Sequence, residues 1–218
     1  MPRHPNPSRP RGSDRLRALP REFYSRSTHL VAKDLLGRDL VRRLRGLCLE
    51  GKIVEVEAYG GSDDPASHAF RGRTARNQVM FGKPGLAYVY FTYGMHYCLN
   101  VVTEKEGVPG AVLIRALAPL RGIESMRKRR RTSELVTLAN GPARLTQAMA
   151  ITRKHNGMDM TVPGELFVSA APNPTPRIVT STRIGIRLGR EKPWRFHIED
   201  NAYVSVRQGV TRGLRASQ

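Results

Sequence analysis

The chain has 218 residues, enough for one domain with a single sizeable core. Its 37 Lys and Arg against 18 Asp and Glu leave a net charge of +19 and a pI near 11.1, a field that draws polyanions such as nucleic acid or an anionic membrane surface. Two cysteines without CxxC spacing argue against a disulfide scaffold or a thiolate zinc site, and neither a membrane-length apolar run nor a hydrophobic leader core is present, so a soluble intracellular protein is expected.

Residues 1–20 carry five prolines among arginines and predict a disordered basic arm, able to track phosphates or simply to stay solvated. "STHLVAKDLLG" has apolar residues at helical spacing, with Gly37 where a helix C-cap would sit. "DLVRRLRGLCLEGKIVEVEAY" predicts a strand, a turn at Arg45-Gly46 and a long second strand. Within that second strand Val54, Val56 and Ala58 share one face, while Glu55, Glu57 and Tyr59 share the other. Two glutamates beside a tyrosine in so basic a chain fit an acid/base pair, and fit equally an amphipathic strand with a solvated polar face.

"SDDPASHAFRGRTARN" predicts a loop with a short helix near Pro65. His68 in this loop is a candidate pocket residue or merely exposed. Arg71, Arg73, Thr74, Arg76 and Asn77 suit phosphate contacts, which position a protein without reading sequence. "LAYVYFT" and "HYCLNVV" form a hairpin around Gly94. Tyr88 and Tyr90 face one way, Val89 and Phe91 the other. Tyr93 and Met95 make a bulky tip that invites a partner, and stacked DNA bases accept such a wedge. Tyr90 and Tyr59 can stack on an extruded base, whereas Tyr88, Phe91 and Tyr97 are assigned to the scaffold.

"GAVLIRALAPL" is a β-type run interrupted by Arg115, which if buried needs an anionic partner, with Glu57 the natural candidate. The alternative is an edge strand with Arg115 in water. Residues 121–135 predict a basic helix, "NGPARLTQAMAI" a turn and a helix, and "ELFVSA", "TRIGIRLG", "PWRFHI" and "AYVSVRQ" short strands. Together these predict a single mixed α+β domain on a curved, largely antiparallel β-sheet, with flanking helices and a protruding hairpin. His and Cys at ligand spacing are lacking, so no metal is expected.

The segments "EAYGG", "SHAFRGRTARNQVMFGKPGLAYVYFTYGMHYCLNVV", "GAVLIRALAPL", "NGPARLTQA" and "TRIGIR" resemble, in order, the alkyladenine (3-methyladenine/methylpurine) DNA glycosylase family, over residues 23–206. The resemblance implies a catalytic domain over residues 21–210 that flips damaged purines from double-stranded DNA and hydrolyses the N-glycosidic bond. It also implies a monomer needing neither metal nor organic cofactor. By that likeness Glu57 is the general base, Arg115 helps hold the attacking water, and a backbone carbonyl at Ile184 is a further anchor. Tyr59, His68 and Tyr90 contact the flipped base, Asn100 opposes an undamaged guanine, and Tyr93 with Met95 fills the vacated stack. Ala75 and His96 depart from the family pattern in DNA-facing segments. A non-catalytic basic nucleic-acid-binding protein is the competing expectation, which the Glu57–Arg115 pair disfavours.

Overall fold

The computed structural model describes residues 17–92, 94–170 and 176–205. The expected N-terminal arm falls almost wholly, and Tyr93 entirely, outside the described residues. Two helices, α1 (Arg21–Tyr24) and α2 (Thr28–Leu35), lead into strands β1 (Asp39–Leu44) and β2 (Leu47–Tyr59). A 3₁₀ turn at Gln78–Phe81 precedes β3 (Ala87–Thr92) and β4 (His96–Val102), followed by β5 (Ala111–Arg121), α3 (Ile123–Arg130) and α4 (Pro142–Ala148). A second 3₁₀ turn and strands β6 (Leu166–Val168), β7 (Ile178–Ser181) and β8 (Arg195–Ile198) complete the described fold.

The strands form one curled antiparallel sheet in the order β3-β4-β5-β2-β1-β6, with β8 beside the C-terminal half of β2 and β7 beside β8. The expected α+β architecture is therefore present, with β2 at its centre. Side-chain alternation explains how this sheet separates core from site. Val56 and Ala58, Ile114 and Val112, Leu99 and Val101, and Ala87 and Val89 join buried residues of α2, α3 and α4 in the main core. Their neighbours of opposite parity, Tyr59, Arg115, Leu113, Asn100, Cys98, Tyr88 and Tyr90, line a cavity on the other face.

The register between β2 and β5 breaks on both sides of Glu55, passing over Val54 and Arg115. Such irregularities bend a strand and re-aim side chains beside functional sites. At the far edge Thr92 pairs with His96, and Gly94 (φ +68) takes the left-handed turn conformation that this hairpin needs. Among the described residues no helix is long and apolar enough to cross a membrane.

Three local expectations fail. Residues 62–77 are turns without a helix, the 3₁₀ turn following instead at Gln78–Phe81. Residues 182–189 are irregular, the strand lying just before them at Ile178–Ser181. Residues 202–205 also form no strand. The segment 182–189 alternates like a strand, but Gly185 and Gly189 have positive φ and Arg183 is drawn inward by an acid. The basic helix stops at Arg130 because Arg131 adopts a left-handed conformation.

Candidate active site

The cavity has a volume of about 490 Å³. Its floor is made by Tyr59, Arg115 and Ile184, and beneath that floor lies Glu57, fully buried. Each of the three holds the carboxylate. The Tyr59 hydroxyl donates to Oε2 at 2.7 Å, the Ile184 N–H donates to Oε1 at 2.8 Å, and an Arg115 guanidinium nitrogen stands 3.2 Å from Oε1. Burial, and then the adjacent Glu57 charge, push the Tyr59 phenol above its ordinary range, so it remains a donor. Burial disfavours the Arg115 charge, but Glu57 and Glu55 outweigh it and raise its pKa. Arg115 is thus an enclosed cation between carboxylates rather than a solvated edge residue, as charge burial requires.

Glu55 is not the other half of an acid/base pair. It is fully buried and accepts from Arg115 Nε (3.1 Å), Arg195 Nε (2.7 Å), the Ser205 N–H (2.7 Å) and the Ser205 hydroxyl (2.9 Å). Burial alone would raise its pKa, but the two guanidiniums and the Ser205 amide overcome that and hold it below the usual range. The solvated polar face that an amphipathic strand would show is absent, because both glutamates are enclosed.

The cavity wall is aromatic. His68 packs edge-on to Tyr90 at 4.6 Å between ring centroids, and its Nδ1 lies 2.8 Å from the Tyr88 hydroxyl. Burial, with Arg76 adding to it, lowers the His68 pKa, so its imidazole is neutral at pH 7. Burial pushes the Tyr88 phenol up to about 12. Tyr88 is therefore a cavity residue and not only scaffold, and its parity with Tyr90 is the signal available in the sequence. Asn100 also lines the cavity, its amide donating to the Tyr88 carbonyl at 3.1 Å.

Arg71, Arg73, Thr74 and Arg76 are exposed, and the Arg76 guanidinium lies 5.7 Å from the ring centre of Tyr90 in the cavity wall. Asn77 is buried and spends its amide on the His68 and Gly72 carbonyls and the Thr74 N–H, so it shapes the loop instead of reaching outward. On the hairpin Met95 is 70% exposed, and Phe91, assigned to the scaffold, is 43% exposed against Tyr97. Tyr97 packs on the main core as expected.

One support is not legible in the sequence. Arg183 makes a bidentate pair with Asp64 at 2.7 Å on both arms and donates to the Ala58 carbonyl at 3.0 Å. Its guanidinium sits between the rings of Tyr59 and Trp194, at 4.8 and 5.0 Å from their centres. Arg183 thereby ties the segment that carries Ile184 to the end of β2. Among the described residues no three His, Cys, Asp or Glu stand together as a metal site.

The methylpurine-DNA glycosylase family model matches residues 22–202. A protein of Carboxydothermus hydrogenoformans named "Putative 3-methyladenine DNA glycosylase" is 53% identical over 188 residues, covering 86% of this chain and 98% of that protein. Identically named proteins of Methanocella arvoryzae and Rhodopseudomonas palustris are 50% and 48% identical, each again covering about 86–87% of this chain and 90% or more of the relative. With a match that spans the whole sheet and every residue of the cavity floor, the chain belongs to the methylpurine-DNA glycosylase family and is a DNA glycosylase, a DNA-repair hydrolase of N-glycosyl bonds.

Proposed function

We propose that the enzyme, acting as a monomer, extrudes an alkylated purine from duplex DNA into the cavity and hydrolyses its glycosidic bond with a water activated by Glu57. The observation that carries this reading is the enclosed Glu57 carboxylate, held by Tyr59, Arg115 and the Ile184 N–H under an aromatic cavity. Bond cleavage at C1′ builds positive charge on the sugar. A buried carboxylate stabilises that charge and accepts a proton from water as the water oxygen bonds to C1′ and the base departs. Arg115 and the Ile184 carbonyl help to hold that water.

Tyr59, His68 and Tyr90 enclose the flipped base, and π-faces favour electron-poor, positively charged alkylpurines. The Asn100 amide opposes the exocyclic amino group of an undamaged guanine. Tyr93 and Met95 occupy the vacated stack, and Arg71, Arg73, Thr74 and Arg76 contact the phosphates, while Asn77 keeps their loop in shape. The proposed reaction uses neither metal nor organic cofactor.

Incubation with duplexes containing 7-methylguanine, 3-methyladenine or hypoxanthine releases free base from at least one of them, with chelator present. Glu57→Gln lowers the release rate by about 10²–10⁴-fold, the usual share of general base catalysis, and leaves lesion binding intact. A near-wild-type rate in that variant would remove Glu57 from the mechanism. Duplex binding without any base release would mean a non-catalytic binder.

A further inference from the structure

Arg115 has two anionic neighbours, and they hold different atoms of it. Its Nε donates to Glu55 at 3.1 Å, while a terminal nitrogen faces Glu57 at 3.2 Å. A guanidinium is planar and rigid, so fixing Nε and one terminal nitrogen fixes the direction of the whole fork. Glu55 is itself fastened from behind. Arg195 Nε lies 2.7 Å away, and a further Arg195 nitrogen donates to the Ser181 hydroxyl at 2.9 Å. Ser205 contributes its N–H and its hydroxyl at 2.7 and 2.9 Å.

The charges explain why two arginines are needed. Glu55 and Glu57 are both fully buried, and a single cation shared between them would leave one carboxylate poorly compensated. Arg195 supplies the second positive charge on the side of Glu55 that faces β7. Arg115 is then not drawn wholly towards Glu55: one terminal nitrogen faces Glu57 and the other donates to the Ser205 hydroxyl at 3.5 Å, while the side chain lines the cavity.

We infer that Glu55 is a positioning residue of the glycosylase reaction, holding Arg115 by its Nε so that the guanidinium faces Glu57, with Arg195 and Ser205 holding Glu55 in turn. The inference rests on the reading of Glu57 as the base. It also gives Ser205 a part in the site, since it provides both its N–H and its hydroxyl to Glu55.

The test is Glu55→Gln, which keeps the shape of the side chain and removes its charge. The single-turnover excision rate falls about ten- to a hundredfold, the scale on which small misplacements of a catalytic group act, while affinity for lesion duplex stays within about twofold. In an Arg115→Met background, followed over long incubations, Glu55→Gln produces no further loss, because its effect runs through Arg115. Wild-type rate in Glu55→Gln overturns the inference, as does a loss that multiplies with that of Arg115→Met.

Ser205→Ala removes a hydroxyl that donates to Glu55 and accepts from Arg115, does so without unbalancing charge, and serves where the glutamine variant does not fold. Its rate falls at least about twofold, as expected for losing one hydrogen bond to a charged group, and again not in the Arg115→Met background. An unchanged rate there, with Glu55→Gln unfolded, overturns the inference. Glu57→Gln separates the two claims. If that variant excises at near the wild-type rate, the base assignment fails; if it is slowed as expected while Glu55→Gln is fully active, only the positioning role fails.

Discussion

Replacing Arg183 by methionine removes the cation of a fully enclosed pair. The side chains of Arg183 and Asp64 are both 0% exposed, and the pair is bidentate at 2.7 Å on each arm. Methionine is apolar and fills much of the space between Tyr59 and Trp194, so the dominant loss is electrostatic. Asp64 is left with the N–H groups of Gly60 at 3.0 Å and Ala66 at 3.2 Å. Removing one partner of a buried pair costs about 3–5 kcal/mol. At about 2–4 °C per kcal/mol for a domain of this size, the melting temperature falls by about 6–20 °C.

Thermal unfolding at pH 7 measures this directly, and a cycle with Asp64→Asn isolates the pair. The double variant is more stable than Arg183→Met alone, because no uncompensated buried charge remains. Excision slows as well, since the next residue, Ile184, donates to Glu57. A melting temperature within about 2 °C of the wild type, about 1 kcal/mol or less by the same scale, would mean that the pair carries no such electrostatic cost. So would a double variant whose loss equals the sum of the singles.

Changing Arg71, Arg73 and Arg76 together to alanine weakens binding to any duplex. It also makes the slope of log affinity against log salt shallower by about 0.9 for each phosphate that is no longer neutralised. An unchanged slope would place the phosphate-binding residues elsewhere. Met95→Ala weakens binding to lesion duplex while changing stability by less than about 0.5 kcal/mol, as expected for a residue 70% exposed; wild-type affinity would remove Met95 from the DNA-inserting tip. Stability also falls in two stages on acidification. Burial lowers the pKa values of His29, His68, His155 and His197, so below about 6.5 the unfolded chain takes up protons that the folded chain does not, and stability is lost as pH falls. Glu55 and Asp64 are held below their ordinary range by their arginines despite burial, so their contribution is present above about pH 4 and disappears as pH falls through the depressed values. A melting temperature flat from pH 7 to pH 3 would contradict both assignments.

Much of the site is legible in the sequence because its residues lie on strands with strong alternation. The run from Ile53 to Tyr59 puts Glu57 and Tyr59 on one face, and the lone cation in "GAVLIRALAPL" calls for an anionic partner. The hairpin around Gly94 follows from two β-prone runs and a permissive residue between them. Tyr88 lines the cavity as well as packing among buried residues, and its parity with Tyr90 is the part of this that its pattern shows. Alternation says which residues share a face, but not which face the helices cover. Residues 182–189 alternate like a strand and are not one, because the force that bends them comes from Asp64, far away in the chain.

The antiparallel framework and the family reside in local pattern and ordered motifs, which also single out Glu57, Arg115 and the aromatic residues as candidates. Which charges are buried, and what compensates them, follows only from long-range packing. Asp64 meets Arg183 across 119 positions, and Ser205 meets Glu55 across 150. The charge state and orientation of a buried group depend on its desolvation and its partners, and both are created only when such distant segments pack together.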